Sequence, residues 1–225
     1  MAVLLMAVPA SAQTPATPPT TPTAVPRRAA PEPPPPGSRW FLGALTGVQQ
    51  VERSGPVLGL EFGVRVKKHL QIVLESGWMS DVVTDKRLAE MASFATYLQR
   101  TRQMTTTSDM DAPTYFVMAG VRLIPDRGWD GVRPYVMATA GLARVEYRPV
   151  FLMDGVDRTT SVSEFGVILG KDLLGPGNHF AASGGAGIVF GDKWYLDLGA
   201  RFTRIQTLEH PTNVRRFSIS VGHRF

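Results

Sequence analysis

Four histidines, His69, His179, His210 and His223, carry the only imidazoles of a 225-residue chain that has no cysteine. Thiol catalysis, Cys-ligated metal sites and disulfides are thereby excluded. A hydrolytic centre needs a nucleophile and a base within hydrogen-bond reach. His179 precedes Ser183 by four positions, and in an extended strand that is about 13 Å, too far for a dyad. The adjacent pair Glu209-His210 has no serine beside it. The four histidines also lack the spacing of a zinc site. The expectation is a protein without catalytic residues, metal or cofactor, and not an enzyme.

The second constellation is ionic. Glu61, Arg65, Glu75, Arg122, Asp197 and Arg201 each lie in a segment where apolar residues occupy every second position, and each sits on the other parity. Such charges share a face with Gly, Ser and Thr. Buried charges are costly unless paired, so the expectation is mutual neutralisation inside a closed space, with Glu61–Arg65 and Asp197–Arg201 as the pairs. The alternative chemistry for the same residues is a proton or ion path.

The elements that must hold these charges are strands. Val57 to Lys67 puts Leu58, Leu60, Phe62, Val64 and Val66 on one face and Gly59, Glu61, Gly63, Arg65 and Lys67 on the other. A strand separates these two sets, whereas a helix would scatter them. The pattern returns after Lys68-His69, in Thr114 to Leu123, in Trp194 to Arg204 and in Arg216 to Phe225. Arg39 to Gln50, Tyr135 to Tyr147 and His179 to Phe190 complete a set of eight, with ambiguous facing. Each has about the 9–11 residues of a tilted membrane strand.

Four features favour a membrane barrel over a soluble carrier. The polar face is rich in small residues, and an eight-stranded lumen is just wide enough to be filled by side chains. Trp40, Trp78, Tyr115, Tyr147, Trp194 and Phe225 fall near strand ends, as the interfacial aromatic girdles of such barrels do. Two connections are long (Asp81 to Pro113 and Arg148 to Asn178), and both fall on the side that would face outward; the shortest fall on the other side. The chain ends on Phe225, with apolar residues at every second position before it except His223.

This terminal pattern, with the eight strands, resembles the small OmpA/OmpX-like outer-membrane β-barrel family over about Ser38 to Phe225. The resemblance implies an all-β, eight-stranded antiparallel transmembrane barrel of a Gram-negative cell envelope. It also implies that Phe225 serves as the signal read by the barrel-insertion machinery. Even strand number places both termini in the periplasm.

The remaining segments frame this domain. Residues 1–12 read as a signal peptide, with the apolar run Ala2 to Val8 and the small-residue pattern Ala10-Ser11-Ala12. Residues 13–37 form a proline-rich linker that cannot bury a core; residues 38–225 form the barrel. Within the first long loop, Leu88, Met91, Ala92, Ala95 and Leu98 recur at helical spacing, with Asp85 as the expected N-cap, so one outer loop is predicted to hold a short helix. Asp154-Gly155 reads as a hairpin turn in the second. The net charge of +5 is spread without a basic run, which argues against nucleic acid. Expected partners are outer-membrane lipid and lipopolysaccharide, the insertion machinery, and a cell-wall or surface partner. The expected role is structural or surface-interacting; a narrow pore and a lipid-A-modifying barrel enzyme are the rival readings.

Overall fold

Residue parity becomes facing in the computed structural model, which describes residues 39–125, 131–165, 176–207 and 211–225. The segments read as signal and linker, and the Glu209-His210 pair, lie outside the described residues. The elements in chain order are β1 (Trp40–Gln50), β2 (Ser54–Lys67), β3 (Leu70–Met79), α1 (Asp85–Arg102), β4 (Thr106–Asp111), β5 (Thr114–Leu123), β6 (Val132–Glu146), β7 (Arg148–Met153), β8 (Val156–Asp157), a 3-10 helix (Thr159–Phe165), β9 (Pro176–Phe190), β10 (Trp194–Gln206) and β11 (Thr212–Arg224).

Eight strands close into an antiparallel barrel in the order β1-β11-β10-β9-β6-β5-β3-β2. The register sets its geometry. Stepping across paired residues from Trp40 leads through Val64, Ile72, Val121, Ala138, Gly184, Phe202 and Arg215 back to β1 at Gln50. The circuit returns ten residues further along β1, from 40 to 50, so the shear number is 10. Eight strands at this shear tilt by roughly 40° to the barrel axis. The C-terminus seals the seam, where the Phe225 amide donates to the Trp40 carbonyl at 2.9 Å. β1 therefore starts and β11 finishes at one end, called here the terminal end; the long connections lie at the other, the loop end.

The apolar parity faces outward on every barrel strand. Leu42, Leu60, Phe62, Ile72, Val117, Val136, Phe202 and Ile219 are each between 42% and 55% exposed, and together they girdle the barrel. At the terminal end the belt finishes in rings. Trp40 stacks on Phe62 with centroids 5.4 Å apart, and His223 lies edge-on between Trp194 at 4.8 Å and Phe225 at 4.6 Å. His223 thus keeps the aromatic spacing that its side-chain type had seemed to break. Tyr147 corrects the expected girdle. It falls at the break between β6 and β7 and packs against the inner apolar cluster, with the Arg87 guanidinium 5.5 Å from its ring centroid.

The loop end carries a folded cap. β4 and β7 continue the β5–β6 ladder past a break at Ala112-Pro113 and Tyr147, pairing Thr106 with Met153 through Asp111 with Arg148. β7 and β8 form a hairpin on Asp154-Gly155, both at positive φ (49° and 80°), the backbone of a two-residue type I′ turn. Gly155 has open space around it, so Gly155→Ala tests backbone strain alone. We expect about 1 kcal/mol lost from the hairpin, read as faster hydrogen exchange at β7 and β8 with the barrel amides unchanged.

The predicted helix is α1. Met91, Ala95 and Leu98 fall on its buried face at spacings of four and three, the period of one helical stripe. Its N-cap is Thr84, not Asp85, and makes no side-chain cap bond. Asp85 sits one position later, in the first turn, where a carboxylate favours the helix dipole. Asp81 ties this cap to the barrel: its carboxylate accepts the Val83 and Ala112 amides at 2.9 and 3.1 Å, and its carbonyl accepts the Gln49 side-chain amide. Among the described residues no helix is long and apolar enough to cross a membrane.

Candidate functional site

Inside the barrel the side chains form three layers. Under the cap, Leu45, Val57, Met79, Met91, Leu98, Phe116, Phe151 and their neighbours make an apolar cluster. At the terminal end Phe41, Val73, Ile124, Tyr135, Met137, Val189 and Tyr195 make a second. Glycines make room for the large rings: a Cβ on Gly187 would lie 2.5 Å from the Tyr135 hydroxyl.

Between the clusters lies the charged layer. Asp197 pairs with Arg122 at 3.2 Å, Arg122 with Glu61 at 2.6 Å, and Glu61 with Arg201 at 3.1 Å. Arg201 continues to Glu75, and Glu75 to Arg216. The six groups form one alternating chain of three carboxylates and three guanidiniums, formally neutral, and none is more than 6% exposed. Its two ends are anchored in the apolar layers. The Tyr135 hydroxyl donates to Asp197 at 2.8 Å, and the Arg122 guanidinium lies 4.3 Å from the Tyr135 centroid. At the other end Arg216 lies 4.9 Å from the Phe116 centroid.

Five of the six expected lumen charges, Glu61, Glu75, Arg122, Asp197 and Arg201, join this chain. The expected pairs within a strand do not form. Asp197 and Arg201 are four residues apart on β10, which separates them by about 13 Å along the strand, so each reaches across the lumen instead. The same spacing carries Arg65 away from Glu61. Arg65 faces inward near the terminal end, within electrostatic reach of Arg133 and Asp192, and among the described residues it forms no ion pair. Two participants, Arg216 and Tyr135, were not expected. Arg216 shares the parity of Ser218 and Ser220, which was visible in the sequence; Tyr135 lay in a strand whose Gly and Ala content hid its facing. Arg224 was also missed. It donates to the Gly191 and Asp192 carbonyls at 2.9 and 2.6 Å and closes the β9–β10 turn.

The candidate catalytic groups stay apart. The Thr203 hydroxyl donates to Ser183 at 3.1 Å, and His179 lies four residues along the same strand. Among the described residues no group of three His, Asp or Glu could hold a metal ion. What the lumen can do chemically is hold a fixed, neutral ion-pair chain, with an apolar cluster on either side of it.

Against solved structures, the barrel matches the neisserial surface protein A with a TM-score of 0.52 and 13% identity, over 83% of this chain and 97% of that one. The chain has the fold of the small eight-stranded outer-membrane barrels. It is also similar to the attachment invasion locus protein Ail of Yersinia pestis (TM-score 0.44, 13% identity, 84% of this chain and 97% of that one). A further match is the N-terminal barrel of Pseudomonas aeruginosa OprF (0.44, 16%, 84% and 98%). The neisserial match carries the fold assignment. No protein-family model and no curated protein matches the chain.

Proposed function

We propose that the protein is an integral outer-membrane barrel that works as a closed scaffold and presents its loop end for contact, without passing solute and without catalysis. The observation that supports this most directly is the lumen itself. A neutral ion-pair chain with every member at most 6% exposed is stacked between two apolar clusters. The packed side chains of both clusters stand in the path of water and ions on either side of the charge chain. The outward apolar belt, ending in rings at the terminal end, suits a bilayer as its surroundings. On this reading both termini lie in the periplasm, Phe225 is read by the insertion machinery, and α1 with the β4–β7–β8 sheet stands on the cell surface, where a partner would be met.

Planar-bilayer recording tests the closed lumen. Purified, refolded protein is expected to give no discrete conductance steps, at the same protein loading that produces steps from an open porin. Discrete steps that scale with protein concentration would replace the scaffold reading by a narrow pore.

A further inference from the structure

We infer that Arg204 and Arg215 form a binding site for the phosphate of a phosphorylated membrane lipid, on the outside of the barrel at the loop-end edge of its apolar belt. This rests on the bilayer-spanning reading above and names one specific lipid contact within it.

The register brings the two arginines together. Arg204 on β10 pairs with Asn213 on β11, and Phe202 on β10 pairs with Arg215. Arg204 and Arg215 are therefore diagonal neighbours on one face, about 7–8 Å apart at the backbone. Both share the outward parity of Phe202 and Phe217 and are exposed. Among the described residues no carboxylate pairs with either of them. The outward positions around the pair are Phe202, Gln206, Asn213, Phe217, Ala182 and Gln50. Neither arginine forms an ion pair among the described residues. By contrast Arg144, two strands away on β6 and also outward, lies 3.6 Å from Glu146.

Two uncompensated guanidiniums side by side repel each other, and a shared anion removes that repulsion. Guanidinium forks match phosphate oxygens bidentately. The amides of Gln50, Gln206 and Asn213 supply further donors at the same edge. The level in the membrane selects the source of the phosphate. Arg215 begins the outward run Arg215, Phe217, Ile219, Val221 on β11, so the guanidiniums stand where the apolar belt stops. A headgroup meets them at that depth. Directly below, Val48, Ala186, Ile188, Leu198, Ala200 and Phe217 line an open apolar groove across β1, β9, β10 and β11, a shape suited to an acyl chain of the same lipid. Charge at the top and a groove beneath fit one amphiphile better than a soluble anion.

The test uses full-length protein refolded in neutral detergent, with bound lipid counted by native mass spectrometry. The probe is diphosphoryl lipid A. Wild-type protein is expected to bind it with a Kd about tenfold or more below that of the Arg204→Gln/Arg215→Gln variant, the loss of roughly one charge-assisted contact. Heat-modifiable gel mobility of the variant should be unchanged. Lipid A stripped of both phosphates should bind the wild type about as weakly as the intact lipid binds the variant, which needs no substitution at all. Arg144→Gln should leave binding near wild type. Equal binding by the variant, or by the stripped lipid, overturns the site. Displacement of lipid A by an equal concentration of inorganic phosphate also overturns it, in favour of a soluble anion. Wild-type protein that shows no heat-modifiable mobility overturns the bilayer-spanning reading itself, and the lipid site with it.

Discussion

Replacing Glu61 by leucine is expected to lower the unfolding free energy by about 3–5 kcal/mol, measured by urea titration of tryptophan fluorescence in micelles. Glu61 is the inner link of the lumen chain, bonded to Arg122 at 2.6 Å and to Arg201 at 3.1 Å. Its loss leaves two carboxylates against three guanidiniums in a space that excludes water. Arg201→Leu should cost a similar amount, since it leaves three carboxylates against two guanidiniums and removes one partner from each of Glu61 and Glu75. The double variant discriminates between mechanisms. Removing Glu61 and Arg201 together leaves two complete pairs, Asp197–Arg122 and Glu75–Arg216, and restores neutrality. The cost of the double substitution is then expected to fall well below the sum of the singles, the signature of coupled residues in a double-mutant cycle. Strict additivity would show that the two side chains act through packing alone and that the charge chain is incidental to stability.

The lumen chain also shows where sequence reading stops. Alternation in β2, β3, β5 and β10 gave the facing of Glu61, Glu75, Arg122, Asp197 and Arg201 without ambiguity, because a strand has period two. Facing is only one coordinate. The height of a residue along the barrel depends on the shear, and a shear of 10 offsets neighbouring strands in a way that no single segment reveals. Glu61 and Arg65 therefore looked like partners on one strand, whereas the partners of Glu61 come from β5 and β10. Arg216 was legible by parity, since it opens a run whose alternate members are Ser218 and Ser220. Tyr135 was not, because Ala138, Ala140, Gly141 and Ala143 around it carry too little contrast to mark a face. The cap divides similarly. α1 announced itself through Leu88, Met91, Ala95 and Leu98. Thr106 to Asp111 reads Thr-Thr-Ser-Asp-Met-Asp, a polar stretch that becomes a strand only because β7 extends the ladder beside it.

The outward face separates a membrane barrel from a soluble one by a single substitution. Ile219 sits midway along the outward run of β11, four residues from Arg215 and four from His223, and is 50% exposed. In a bilayer that position is near the centre of the hydrocarbon. Ile219→Arg should then destabilise the folded protein in phospholipid vesicles by about 2–4 kcal/mol. Gln50→Arg, outward but at the loop-end edge, should cost about 0–1 kcal/mol. A water-facing wall predicts the opposite order of concern. There an arginine in place of a half-exposed isoleucine changes stability by about 0.5 kcal/mol or less, and its aliphatic stem still covers the neighbouring Leu198 and Thr46. The comparison is internal, because the two variants carry the same added charge on the same face. If Ile219→Arg and Gln50→Arg unfold at the same urea concentration in vesicles, the apolar belt does not lie in hydrocarbon. The charge chain in the lumen would then need an explanation other than a barrel closed against a membrane.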